Sequence, residues 1–226
     1  MPRVFGDIHE EEFLFSDGHY TITCQIVKSR KDERDGTITF DTVPMFAGQE
    51  SKKASYHNIL TLDPETDVSS NGLFFANVED CYQVVKQHLN DVEEEYKIYQ
   101  MHVESAYMEL PQSELDKSNK TFSMLHPGDV LYKLAPLHSK EGMRTIPITT
   151  VDTIDNILYI DNTCILGPKK YDYTVMMGTH LFSNGEKCYQ YAVDMLNAIY
   201  SNLDQYKQEL EILYCNTKRN NNCPII

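Results

Sequence analysis

The sequence predicts an α+β chain, internally duplicated, in which two small antiparallel β-rich modules are each followed by a long heptad-patterned α-helix. Three observations predict it. Residues 75–107 align without a gap on residues 182–214 at a constant offset of 107, with identity at Phe75/Phe182, Asn77/Asn184, Glu79/Glu186, Cys81/Cys188, Tyr82/Tyr189, Gln83/Gln190, Leu89/Leu196, Asn90/Asn197, Tyr99/Tyr206, Glu104/Glu211 and Tyr107/Tyr214. Both copies of that stretch carry an apolar stripe at helical spacing. Ahead of each lie short alternating runs rich in β-branched residues, the mark of half-buried strands.

The first module opens with three such runs, Tyr20 to Val27, Gly36 to Phe40 and His57 to Leu62, separated by charged, turn-rich segments such as Lys28 to Asp35. A helix is expected over about 78–108. Asn77 stands where an N-cap side chain accepts a hydrogen bond from an unpaired N–H, and Glu79 puts negative charge at the positive end of the helix dipole. Val85, Leu89, Val92, Tyr96, Tyr99 and Val103 then follow at intervals of four and three, a coiled-coil seam.

Pro111 breaks that helix, and the polar stretch from Asp116 to Lys120 reads as a surface connection. The expected organisation is residues 1–110, a linker at 111–127, and residues 128–226. In the second module the runs are Asp129 to Leu134, Arg144 to Ile148, Ile157 to Ile160 and Tyr173 to Met177. Asn184 and Glu186 repeat the cap, and a helix is expected over about 185–214 with its seam at Ala192, Leu196, Ile199, Leu203, Tyr206 and Leu210. The Asn-rich segment from Cys215 to Ile226 is expected to be a flexible tail. A helix of roughly 30 residues spans about 45 Å and needs a partner along its length. Its own duplicate is the natural one, within the chain or between chains.

The opening Gly128-Asp129-Val130-Leu131-Tyr132 and the closing Leu181 to Lys187 resemble the small SH3-like barrels of many phage-encoded proteins. The resemblance covers under half of the chain. It implies a barrel-like second module.

The chain has 226 residues, a net charge of −14 and no tryptophan. Residues 1–110 carry 21 acidic against 9 basic side chains, a balance of −12; residues 111–226 carry 13 against 11, a balance of −2. Such a surface repels duplex DNA and anionic membranes at long range, so direct nucleic-acid binding is not expected. No apolar run approaches a membrane span and no apolar leader is visible at the N-terminus, which points to a cytoplasmic setting, the host cytoplasm or a virion if the source is viral. The six cysteines form no CxxC pair and read as free thiols.

Catalytic signatures are absent. There is no GxxxxGK[ST], GxGxxG or GxSxG. His19-Tyr20-Thr21 matches half of a two-histidine phosphoesterase signature with no second half, and Asp7 to Glu12 lacks the second histidine of HExxH, position 13 being Phe13. No catalytic residue, metal ligand or cofactor is expected.

Function is therefore expected in protein–protein contact: a non-enzymatic interaction, structural or assembly protein of phage or viral type, acting on a protein partner or on itself. Glu93, Glu94 and Glu95 on the first helix and Lys169, Lys170, Tyr171 and Asp172 in a loop of the second module are the candidate partner surface. Two alternatives stand beside it: an acidic nucleic-acid mimic that blocks a basic groove on a host protein, and an enzyme or small-ligand binder with a site between the modules.

Overall fold

The computed structural model describes residues 3–46, 49–50, 57–115, 120–137, 139–155, 157–161, 163–165, 173–176 and 179–220. The chain is mixed α+β, with antiparallel sheets and two long helices. It forms two compact units, residues 1–91 with 202–226, and residues 92–201. Residues of both long helices occur in both units.

The first unit is built on one antiparallel sheet: β1 (Phe13–Asp17), β2 (Ile22–Asp32), β3 (Ile38–Phe46), β4 (Gln49–Glu50), β5 (Asn58–Leu62) and β6 (Phe74–Phe75). Its order is β4-β3-β2-β1-β6, with β5 also paired to β3. The stretch from Lys28, expected as a loop, is strand as far as Asp32. Past a register shift between Val27 and Ser29 the strand stays paired with β3, and Arg30 ties it to the N-terminal segment, its guanidinium donating to the carbonyls of Gly6 and Ile8 at 2.8 Å each. The turn that follows is Asp35-Gly36, with Gly36 at φ 90°, a value that suits glycine. Phe5, Ile8, Leu14, Val27, Ile38, Phe40 and Ala76 fill the core beneath the sheet, each at most 2% exposed.

The long helix α1 runs Val78–Met108, within a residue of expectation, and Asn77 Oδ1 accepts from the Asp80 N–H at 3.2 Å. Pro111 stands between it and the single turn α2 (Gln112–Leu115). Residues of the expected linker also enter a core: a 3₁₀ turn at Phe122–Met124 buries Phe122 and, just after it, Leu125. The polar stretch from Asp116 to Lys120 lies mostly outside the described residues, and the two large apolar side chains that follow it are what enter the core.

In the second unit, β7 (Val130–Leu134), β8 (Met143–Pro147), β12 (Tyr173–Met176) and β13 (Thr179–Phe182) form a sheet in the order β12-β13-β7-β8. A smaller sheet joins β9 (Val151–Ile154), β10 (Ile157–Ile160) and β11 (Thr163–Ile165) in the order β11-β10-β9. One face of β7 (Val130, Tyr132, Leu134) packs with Tyr99, Val103, Cys188, Ala192 and Leu196 of the helices; Leu131, on the other face, joins Phe122, Leu125, Ile148, Leu158 and Ile160. Gly142 makes that packing possible, since a Cβ there would come within 2.5 Å of the α1 backbone at His102 and Val103.

The second long helix, α3, runs Gly185–Asn220, six residues past the expected end at 214. The segment expected as a flexible tail is thus helical up to residue 220. Thr217 is 3% exposed and donates its hydroxyl to the Leu213 carbonyl at 2.8 Å, and Lys218 reaches Glu79 at 3.2 Å; both contacts reward another turn.

Candidate functional site

Within each unit the two helices run antiparallel and are clamped by tyrosines. In the first unit Tyr82 stacks on Tyr214, with ring centroids 4.1 Å apart, and each hydroxyl donates to a glutamate of the other helix, Tyr82 to Glu211 and Tyr214 to Glu79. Lys86 and Lys218, one turn along their own helices, donate to the Tyr82 and Tyr214 hydroxyls at 2.8 and 2.7 Å, and each ammonium lies 5.1 Å from that ring's centroid. The donated hydroxyls hold the carboxyls of Glu79 and Glu211 below the usual range. In the second unit Tyr107 stacks on Tyr189 at 4.1 Å and donates to Glu186. That bond, with burial behind it, pushes the Tyr107 hydroxyl up to about 12.

These clamps occupy the inner side of the helices together with most of the expected seam. Val85, Leu89, Tyr99, Val103, Ala192, Leu196, Leu203 and Leu210 are buried; Val92, Tyr96 and Ile199 are half-buried. Tyr206 departs from the expectation. It is 41% exposed and faces the ring of Tyr20 at 5.9 Å, on the hairpin tip between β1 and β2.

The outer side of α1 in the second unit carries a second apolar row, away from the packed inner side. Ile98, Met101 and Met108 are 43%, 58% and 81% exposed. Spacings of three and seven residues put them on one face of the helix, roughly half a turn round from Tyr99 and Val103. Acidic side chains border the row: Glu94 and Glu95 before it are exposed, as is Glu109 beyond it. Glu93 is turned aside into an ion pair with Lys97 at 2.8 Å. Of the expected partner surface, Glu94 and Glu95 thus stand at the edge of an exposed apolar face. Lys169, Lys170, Tyr171 and Asp172 lie outside the described residues.

The sequence showed no spacing for paired histidines, yet the fold sets three of them beside carboxylates, His126 at 3.9 Å from Asp129 and two others at hydrogen-bond distance. His88 Nδ1 lies 2.7 Å from Asp17 Oδ2, and Asp17 Oδ1 accepts the His19 N–H at 2.9 Å; His57 Nδ1 lies 2.8 Å from Asp41. The Asp17 to Tyr20 tip is strained, with His19 and Tyr20 at φ 63° and 75°. No nucleophile or oxyanion donor accompanies either pair among the contacts described. The Asp7 to Glu12 segment is a turn, in which Glu12 accepts the His9 N–H at 2.7 Å and pairs with Arg3. Among the described residues no three His, Cys, Asp or Glu side chains converge to hold a metal ion. Cys24, Cys81 and Cys188 are buried and in no disulfide, and burial raises the Cys188 thiol to about 12, which makes it unreactive. No described helix is long and apolar enough to cross a membrane.

Compared with known proteins, the chain matches no protein family, no curated relative and no solved structure.

Proposed function

We propose that the chain is a non-enzymatic interaction or assembly protein of phage or viral type, working in the host cytoplasm or in a virion. The observation that carries this reading is the exposed row Ile98, Met101 and Met108, set on a helix whose other side is already packed. Single exposed apolar residues are ordinary, but a row along one helix face, bordered by Glu94, Glu95 and Glu109, suits a partner with an apolar strip and a basic rim. Methionine favours such a surface because its unbranched chain adapts to the partner's shape.

Two finer structural readings belong to the same proposal. Internal duplication is supported by the clamps: the offset of 107 turns the pair Tyr82/Tyr214 into Tyr189/Tyr107, and the bond Tyr214–Glu79 into Tyr107–Glu186. The small-barrel character of the second module is supported by its short antiparallel strands around Phe122, Leu131 and Ile160. The net charge of −14 also supports the second functional reading, imitation of nucleic acid on a basic host groove.

Native mass spectrometry of protein from its natural source, compared with Ile98→Glu/Met101→Glu, tests the proposal. The expected result is a defined complex that the double variant loses while keeping its fold by circular dichroism. A monomer at all concentrations carrying a stoichiometric small-molecule adduct would overturn it in favour of a ligand binder or enzyme. Survival of the complex in the double variant, with loss when Glu93, Glu94 and Glu95 become Lys, would favour mimicry.

A further inference from the structure

We propose that the outer edge of β8 docks an extended, acidic segment of a partner protein as an added β-strand. The inference shares with the proposed function only the premise of a protein partner, and it uses a different surface of the second unit.

The main chain of β8 supplies the first argument. Among the described residues β8 has β7 as its single ladder neighbour. The Ala135 N–H donates to the Gly142 carbonyl and the Ile148 N–H to the Asp129 carbonyl, both at 2.8 Å. In an antiparallel ladder the bonded positions alternate, so Arg144 and Ile146 face β7. Met143, Thr145 and Pro147 turn their main-chain groups to the open edge. Pro147 agrees with that assignment, because proline is tolerated where no ladder N–H is required. Two N–H groups, those of Met143 and Thr145, are left to receive a strand.

Beside that edge the structure has room for the added side chains. A groove of about 760 Å³ lies between β8 and the end of α1, walled by His102, Ser105 and Glu109 and floored by Thr145 and Met143 over Tyr132. A sheet edge beside a helix is the geometry in which strand addition takes affinity from main-chain bonds and specificity from alternate side chains.

Charge selects the occupant. Lys133 and Arg144 are directly opposite on β7 and β8, on the face away from Thr145, and Lys140 lies in the loop that joins the two strands; Glu141 pairs with Arg144. Two cations side by side across a ladder repel, and a carboxylate on an added strand facing Arg144 relieves that repulsion. A second copy of this chain is disfavoured on the same ground. Self-pairing through the two N–H groups before Pro147 sets Met143 against Thr145 of the other copy, and so puts Arg144 directly across from Arg144 of the second copy.

The test uses the full chain and a fluorescein-labelled octapeptide, Gly-Thr-Glu-Val-Glu-Val-Thr-Gly, followed by fluorescence anisotropy. Saturable binding is expected, weakened about tenfold or more when the central peptide nitrogens are methylated or when both Glu are replaced by Lys. Thr145→Pro, which removes one edge N–H, is expected to weaken binding similarly, whereas Thr145→Ala keeps that N–H and retains binding; circular dichroism confirms that both fold. Ile98→Glu/Met101→Glu is expected to bind the peptide normally, which separates this inference from the apolar row. Absence of saturable binding, or equal binding by the methylated peptide or by Thr145→Pro, overturns it. Self-association lost in Thr145→Pro would overturn the partner assignment by giving the edge to a second copy.

Discussion

The two tyrosine clamps have the same packing and different electrostatics. In the first unit each ring of the Tyr82/Tyr214 pair is flanked by a lysine four residues on, and the resulting Tyr–Glu–Lys triads are closed. The positions that the offset of 107 assigns to those lysines in the second unit are Val193 for Lys86 and Pro111 for Lys218. Ring stacking is nearly identical, 4.1 Å in both pairs with interplanar angles of 19° and 13°. The hydroxyls are not equivalent. Burial and the bond to Glu211 raise Tyr82 while Lys86 opposes the rise; Tyr107, with no such lysine, reaches about 12. Stacking thus sets how the helices meet, and the lysines set how firmly the protons are held.

The largest expected difference between the units comes from their cores. Leu89 and Leu196 are matched by the offset and are 0% and 2% exposed. Truncation of either to alanine is expected to cost about 2–5 kcal/mol, the usual range for a buried leucine. Urea unfolding followed by far-ultraviolet circular dichroism checks it. If the units melt separately, Leu89→Ala moves one transition and Leu196→Ala the other; a single transition moved by both would mean that the long helices make the chain cooperative.

Next in size are the hydroxyls. Tyr107→Phe leaves Glu186 without its donor and is expected to cost about 1 kcal/mol, as charged hydrogen bonds at partly exposed sites do. Tyr82→Phe is expected to cost less, because Lys86 still serves Glu211 at 3.2 Å. The pH dependence separates the clamps further. Tyr107 is raised in the folded state, so its contribution is complete below pH 10 and is lost as pH rises towards about 12. Glu79 and Glu211 are lowered, so theirs is present above pH 4.5 and is lost as pH falls below it. Tyrosinate absorbance at 295 nm should show a late step, shared with Tyr99, whose hydroxyl burial also pushes up to about 12, and Tyr107→Phe should reduce its amplitude; an unchanged titration would mean that the Glu186 bond does not form.

Much of this arrangement was legible in the chain. The gapless repeat located both helices and their asparagine caps, and four of its matched pairs, Glu79/Glu186, Tyr82/Tyr189, Glu104/Glu211 and Tyr107/Tyr214, belong to or border the clamps. Local signals suffice for a cap or a stripe, but not for contacts more than 100 residues apart such as Tyr82–Glu211. The end of α3 was misread because Asn-rich composition suggests a frayed terminus, while the Lys218–Glu79 contact that extends it is tertiary. β1, β4, β6, β9, β11 and β13 escaped notice as short runs that neighbouring strands complete. The Ile98, Met101 and Met108 row was readable from its spacing; the longer apolar stripe on the other side of the same helix hid it.

The smallest effect is the most direct test of the comparison, because it transplants the missing lysine. Val193 lines a small cavity with Tyr189, Glu104, Gln100 and Leu196. By the offset, Val193→Lys places an ammonium one turn from Tyr189 and beside Glu104, as Lys86 stands to Tyr82 and Glu211. Glu104 is not idle in the native chain, since Gln100 Nε2 donates to it at 2.8 Å. The new lysine therefore adds a charge to a carboxylate already served by a neutral donor, and its gain in melting temperature should be slight at low salt and vanish at high salt. Lys86→Val in the first unit should show the mirror-image loss, with Tyr82 ionising later in the alkaline titration once the opposing ammonium is gone. Equal and salt-insensitive changes in both variants would mean that stacking alone distinguishes the clamps, and that the lysines of the first unit are bystanders.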